Sequence, residues 1–214
     1  MKIYAHRGFS SRYPEATRAA YQGAIEVGAD GFECDVRLTK DGIAVCFHDR
    51  DTKRIAGVKK RVASLTLKEL RSITEVMTLE ELLKLAKFNN KEVLIETKHP
   101  VLSGGRIEQK VIELGKSYRF TAMSFSFLAV LRLRRDLDDV ALVISHRWRL
   151  FYIPTKKVAI DIELLEKSSW ARRRLANREI LVWTVNDENL APKLREWKVL
   201  GVITDRPDLS FRLS

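Results

Sequence analysis

The chain has 214 residues, 45% of them hydrophobic and 31% charged, and carries a net charge of +11. That length can bury a sizeable core, so a single domain spanning 1–214 is expected. It has no apolar stretch of the ~20 residues a membrane-spanning helix needs, no secretory leader is expected, and its short basic runs (Lys59–Arg61, Arg132–Arg135, Arg172–Arg174) lack the aromatic motifs of nucleic-acid binders.

From the N-terminus onward, short β-branched runs alternate with helical patterns. Ile3–His6 reads as the first strand, followed by a helix over Glu15–Val27 between Pro14 and Gly28, the Pro-then-Gly asymmetry of helix ends. Gly31–Val36 and Ile43–His48 are the next strands, and the Leu38–Gly42 link between them is too short to hold a helical crossover. Cys34 and Cys46 fall in these strands and read as buried free thiols. Thr66-Leu-Lys-Glu69 and Thr78-Leu-Glu-Glu81 are capping boxes that each open a Leu-rich helix. Val93–Lys98 and Phe120–Ser124 are strands, and Ser126 is placed to cap a helix over Phe127–Arg135. Ala141–Ser145 and Val158–Ile162 follow as strands, then one helix over Glu163–Ala176. Ile180–Val185 is the next strand; Pro192 is tolerable in the helix after it if Asn189 is the cap. Gly201–Thr204 closes the series. This alternation predicts a (β/α)8 TIM barrel, slightly irregular, with a helix-free connection between the second and third strands. One of the nine strand candidates is in excess of a barrel.

The ionisable residues fall at strand ends. His6-Arg7 closes the first strand, Glu33 and Asp35 share one face of the second, His48-Asp49 closes the third, and Glu96 and Lys98 repeat the two-residue spacing on the fourth. In a parallel α/β fold these ends lie on one side, where active sites are built. Three carboxylates make a hard oxygen site suited to Mg²⁺ or Ca²⁺. Arg7 and Lys98 answer a phosphate, and two histidines can divide acid and base duties near neutral pH. The sum is phosphate-ester cleavage, and the absence of a Gly-rich phosphate loop followed by Lys-Ser/Thr disfavours nucleotide hydrolysis of that type.

The motifs Ala5-His-Arg-Gly8, Pro14-Glu-Ala-Thr17, Glu33-x-Asp35, His48-Asp49, Glu96-x-Lys98, Ser124-Phe125, Trp183-Thr-Val-Asn186 and Thr204-Asp-Arg-Pro207 occur in the order seen in glycerophosphodiester phosphodiesterases. From Ala5 to Pro207 the chain resembles a compact prokaryotic member of that TIM-barrel family. The resemblance implies that His6 and His48 are the acid/base pair, that Glu33, Asp35 and Glu96 hold one divalent ion (Mg²⁺ or Ca²⁺, with Mn²⁺ a further candidate), and that Arg7 and Lys98 bind phosphate. It places Trp183 beside the glycerol or leaving group, against the alternative of an ordinary core tryptophan. Glu15 is expected to cap the following helix, and Ser124 and Asp205 to do structural work at strand ends.

The expected activity is metal-dependent hydrolysis of a small anionic glycerophosphodiester to glycerol phosphate and an alcohol, within lipid and glycerol metabolism. The rivals are a phosphodiesterase acting on lysophospholipids and a non-catalytic binder of phosphate groups or polyanions. A cytoplasmic location is expected, with no nucleic-acid partner; peripheral membrane contact has no support in the sequence, and the oligomeric state is not legible. Two departures from the family stand out. Ala16 occupies the usual Asn of Pro-Glu-Asn-Thr, and the segment after His48, about Arg50–Leu65, is a reduced lid.

Overall fold

Eight parallel strands close on themselves, and a ninth pairs with them from outside. The computed structural model describes residues 1–101 and 104–211. Its strands are β1 (Lys2–His6), β2 (Gly31–Leu38), β3 (Ala44–Cys46), β4 (Glu92–Thr97), β5 (Phe120–Ser124), β6 (Val140–Ile144), β7 (Lys157–Asp161), β8 (Glu179–Trp183) and β9 (Gly201–Thr204). The order β1-β9-β8-β7-β6-β5-β4-β2 is closed by β1 pairing with β2, which makes a TIM barrel. The excess strand is β3, a hairpin partner running antiparallel to β2 with Val36 opposite Cys46. The short Leu38–Gly42 link forces this outcome, since only a hairpin can turn in so few residues. Both cysteines are free and buried.

Around the barrel run α1 (Arg18–Glu26), α2 (Lys53–Ala56), α3 (Leu67–Arg71), α4 (Leu79–Phe88), α5 (Arg106–Gly115), α6 (Phe127–Leu133), α7 (Ile162–Lys167), α8 (Ser169–Leu175) and α9 (Ala191–Glu196). Both capping boxes form, with Thr66 and Thr78 accepting from the Glu69 and Glu81 amides, and Ser126 caps α6 as expected, though that helix ends at Leu133. Three helix expectations are corrected. The first helix begins at Arg18, because Thr17 is its cap, accepting from Ala20 N at 3.2 Å and donating to Pro14 O at 2.7 Å. The helix expected over 163–176 breaks at Ser168, whose hydroxyl caps α8, while Arg172 donates to the Leu165 and Glu166 carbonyls at the end of α7. Each half thus satisfies its own terminal groups. Asp187, not Asn189, caps the 3-10 turn Glu188–Leu190; Pro192 sits in the first turn of α9, which has no side-chain cap.

Period-two alternation explains how the barrel places its chemistry. Tyr4, Leu94, Met123, Ala141, Val143, Ala159, Leu181 and Ile203 form one buried cluster across the strands. Two residues further along β1 and β4 the same face carries His6 and Glu96, so apolar packing gives way to charge at the C-terminal mouth. A separate small core of Val45, Phe47, Val62, Leu65, Leu70 and Val76 holds the segment after His48 against the hairpin. Among the described residues no helix is long and apolar enough to cross a membrane.

Gly8 has φ +83°, and a Cβ there would lie 2.6 Å from the Ala20 backbone, so only glycine lets α1 approach the end of β1. Ala16 is also left-handed, at φ 59°. Alanine is strained there and asparagine tolerates it better. Ala16→Asn is therefore expected to stabilise the fold by about 1 kcal/mol, raising the Tm by roughly 2–4 °C in a thermal melt. An unchanged or lowered Tm would contradict the strain.

Candidate active site

Strand register assembles the mouth. Residue pairing sets His6 beside Glu33 and Asp35 beside Glu96, so residues far apart in sequence become neighbours across three strands. His6, Arg7, Glu33, Asp35, His48, Glu96 and Lys98 line one cavity of about 180 Å³, as do Phe125 and Trp183. All eight residues singled out from the sequence therefore reach the same cavity. Its wall is divided: the β1, β2 and β4 side is charged, and the side from β5 to β9 is apolar, with Met123, Val143 and Ala159 among its residues.

Oxygen atoms of Glu33, Asp35 and Glu96 lie within 4.8 Å of one another, and all three residues are buried. Burial, with Asp35 and Glu96 beside it, pushes the Glu33 carboxyl well above the ordinary range. Burial and the Asp35 charge lift Glu96 to about 7. Asp35 goes the other way, because Lys98 and Arg7 outweigh its burial and hold it low. Lys98 Nζ is 2.8 Å from Asp35 Oδ1 and 2.6 Å from Glu96 Oε1, and Arg7 Nε is 2.8 Å from Asp35 Oδ2. The Arg7 contact is an ion pair without hydrogen-bond geometry, which leaves Asp35 Oδ2, like Glu33 Oε2, buried without a hydrogen-bond partner. Such oxygens, clustered and short of donors, fit a hard divalent cation.

Both histidines are held through Nδ1. His6 Nδ1 is 2.7 Å from Asp205 Oδ1, and His48 Nδ1 is 2.7 Å from Asp49 Oδ1. An ionised carboxylate can only accept, so Nδ1 carries the proton and Nε2 is left basic. His6 Nε2 lies 3.8 Å from Glu33 Oε2. Burial lowers the His48 pKa below the ordinary imidazole value. Asp205 stays ionised well below the usual carboxylate range: burial opposes this, but His6 and Asn186 donate to it, as does Ser10.

Asp205 thus does more than the structural work expected of it, and Asp49 is a partner that sequence reading left without a role. Adjacency to His48 was the available signal for Asp49; nothing local ties Asp205 to His6, 199 residues away. Glu15 is a correction. It does not cap α1 but bridges Arg7, at 3.2 Å, and Arg54, at 2.7 Å, and Arg54 in turn reaches Asp49. The segment after His48 is therefore pinned by charge to the edge of the cavity. Ser124 does the expected strand-end work, donating to Thr97 O at 3.1 Å and accepting from Ser126 N. Trp183 donates its Nε1–H to Ala159 O at 3.0 Å, so only its apolar ring faces the cavity, edge-on to Phe125. It lines the cavity and also packs against the cluster inside the barrel.

A closed parallel barrel with carboxylates, imidazoles and cations gathered at its C-terminal mouth marks the chain as a TIM-barrel enzyme. The model of the glycerophosphoryl diester phosphodiesterase family matches residues 6–209. The chain belongs to that family of phosphoric diester hydrolases. It is 37% identical to the "Probable glycerophosphodiester phosphodiesterase 1" of Mycobacterium tuberculosis, over 96% of this chain and 89% of that protein. It is 36% identical to a glycerophosphodiester phosphodiesterase of Caldanaerobacter subterraneus, over 99% of this chain and 96% of the relative. Among solved structures, a glycerophosphodiester phosphodiesterase of Thermotoga maritima superimposes with a TM-score of 0.87 at 28% identity, covering 99% of this chain and 97% of that one.

Proposed function

We propose that the chain hydrolyses glycerophosphodiesters to glycerol phosphate and a free alcohol, with a divalent metal and two histidines in the reaction. The observation that carries this reading is the cavity in which three buried carboxylates meet two carboxylate-held imidazoles and two cations. Glu33, Asp35 and Glu96 would hold Mg²⁺ or Ca²⁺, with Mn²⁺ as a third candidate, because three oxygen donors without a thiol or imidazole suit hard ions. When bound, such an ion polarises the phosphoryl oxygens and offsets their negative charge.

The chain's own groups supply the rest. Arg7 and Lys98, both anchored on Asp35, bind the phosphate oxygens, and Arg7 can do so through two N–H groups. His48, kept neutral by burial, takes the proton of the nucleophile, either water attacking directly or the glycerol 2-hydroxyl, in which case water then opens the resulting cyclic phosphate. His6, its Nδ1–H held by Asp205, would act as the acid in its imidazolium form, giving the Nε2 proton to the leaving alcohol. Trp183 and Phe125 shield the apolar side from water and flank the glycerol or leaving group.

The pH profile tests the division of labour. A base must be unprotonated, and a lowered pKa keeps His48 unprotonated to lower pH. With the metal kept saturating at every pH, the acid limb of kcat/KM is therefore expected below the ordinary imidazole value of about 6.5. An acid limb above neutrality would overturn His48 as the base.

A panel of glycerophosphodiesters assayed for glycerol phosphate, with and without EDTA, tests the activity itself. No turnover on any diester under any metal would reject it. The apolar half of the wall favours a second reading, in which the leaving group carries a hydrocarbon chain, as in a lysophospholipid. A cavity of about 180 Å³ is below the ~300–1,000 Å³ of larger ligand sites, so such a chain would extend beyond it. Lysophospholipids in the same panel separate the two readings.

A further inference from the structure

Four large apolar side chains stand in water on the catalytic side of the barrel. Leu128 is 64% exposed, Trp148 59%, Phe151 74% and Tyr152 59%. Leu128 lies in the first turn of α6, directly after β5, and the other three lie in or beside the 3-10 turn Arg147–Phe151, directly after β6. Both segments leave the C-terminal ends of their strands, as the active-site loops do. The turn is rigidly seated, since Leu150 and Ile153 are buried in the main core.

Ring contacts gather the aromatic members into two groups on adjacent segments. Phe127 touches both Trp148, at 6.2 Å between ring centroids, and Tyr152, at 6.1 Å; Phe151 meets Trp170 at 5.4 Å. Arg149 lies over Phe127, Trp148 and Phe125, the last of which lines the catalytic cavity. An aromatic ridge thus runs from the cavity wall to the exposed surface. Contiguous exposed apolar surface of this kind marks an interaction site.

Charge identifies the partner. Arg147 stacks on Trp170, Arg149 sits beneath the ridge, and Arg174 donates to the Leu150 carbonyl. Among the described residues none of these three arginines pairs with a carboxylate. A second copy docking through the same face would bring these like charges together across a two-fold contact, which is unfavourable. A surface of anionic headgroups meets the exposed Arg147 and Arg174 with opposite charge, while the buried Arg149 holds the rings in place, and it receives the rings at the depth where Trp and Tyr settle. We propose that this aromatic and arginine face docks the barrel on an anionic lipid bilayer, with the catalytic mouth turned toward the membrane.

The test is co-sedimentation of the full chain with phosphatidylglycerol or phosphatidylcholine vesicles, with sedimentation velocity in parallel. Wild type is expected to bind phosphatidylglycerol vesicles and to bind phosphatidylcholine more weakly, by roughly fivefold for each arginine near the surface. Trp148→Ser/Phe151→Ser is expected to lose roughly 10–100-fold in partitioning, while turnover of a small water-soluble diester stays unchanged and shows that the barrel is folded. Arg147→Glu should weaken binding to phosphatidylglycerol and spare phosphatidylcholine. Absence of wild-type binding to either vesicle would overturn the proposal, as would a double variant that binds like wild type. So would a wild-type dimer that the double variant loses, without vesicle binding. Vesicle binding by a chain that hydrolyses no diester would leave the docking face standing and reject only the hydrolytic reading.

Discussion

His48→Ala and His6→Ala are each expected to lower kcat by roughly 10²–10⁴-fold, the usual contribution of a positioned acid or base. Both rings are held at Nδ1 by a carboxylate 2.7 Å away, so each presents a fixed Nε2 for proton transfer. Neither ring belongs to the packed core: the His6 side chain is 19% exposed and that of His48 35%. Truncation therefore leaves the fold in place, and a circular dichroism melt can separate lost chemistry from lost structure. On the proposed mechanism the two act in one reaction, so the double variant should fall well short of the product of the single losses. Steady-state kinetics on a glycerophosphodiester checks this, and near-wild-type turnover by either single variant would remove that histidine from the reaction.

Chelation should have an effect of similar size. EDTA is expected to depress turnover by roughly 10³-fold, equivalent to losing several kcal/mol of charge stabilisation, with recovery on adding Mg²⁺, Ca²⁺ or Mn²⁺. The cluster itself gives the reason. Three carboxylates sit within 4.8 Å, and burial with their mutual repulsion has driven Glu33 far upward and Glu96 to about 7. Binding a dication requires these groups to ionise, so it should release protons. Affinity should accordingly weaken as pH falls below about 7, where Glu96 becomes protonated. Calorimetric titration in buffers of differing ionisation enthalpy would count the protons released. Full activity in EDTA, or binding without proton release, would contradict this account of the cluster.

Local pattern and tertiary context divide the remaining findings. Cap positions were legible where the signal is two residues reading each other, as in Thr66 with Glu69 and Thr78 with Glu81. They were not legible at Glu15, whose carboxylate is drawn to Arg7 and Arg54 by charge from other segments. The break at Ser168 was hidden because the flanking residues all suit a helix, and it depends on which carbonyls Arg172 reaches. The docking face was invisible for a related reason. Leu128 lies about twenty residues before Trp148, and hydrophobic periodicity works within one segment and does not bring two segments together on one surface.

The sequence by itself determined the strand–helix alternation, and with it a parallel barrel whose charged strand ends must share one rim. It also determined which residues arrive there, because a period of two leaves Glu33 with Asp35, and Glu96 with Lys98, no choice of face. Only the tertiary structure decided what each of those groups is paired with. Closure between β1 and β2 sets His6 against Glu33, and the return of the chain after β9 brings Asp205 to its ring. Proton positions and pKa shifts follow from such through-space contacts and from burial, and neither is encoded in the spacing of residues along a strand.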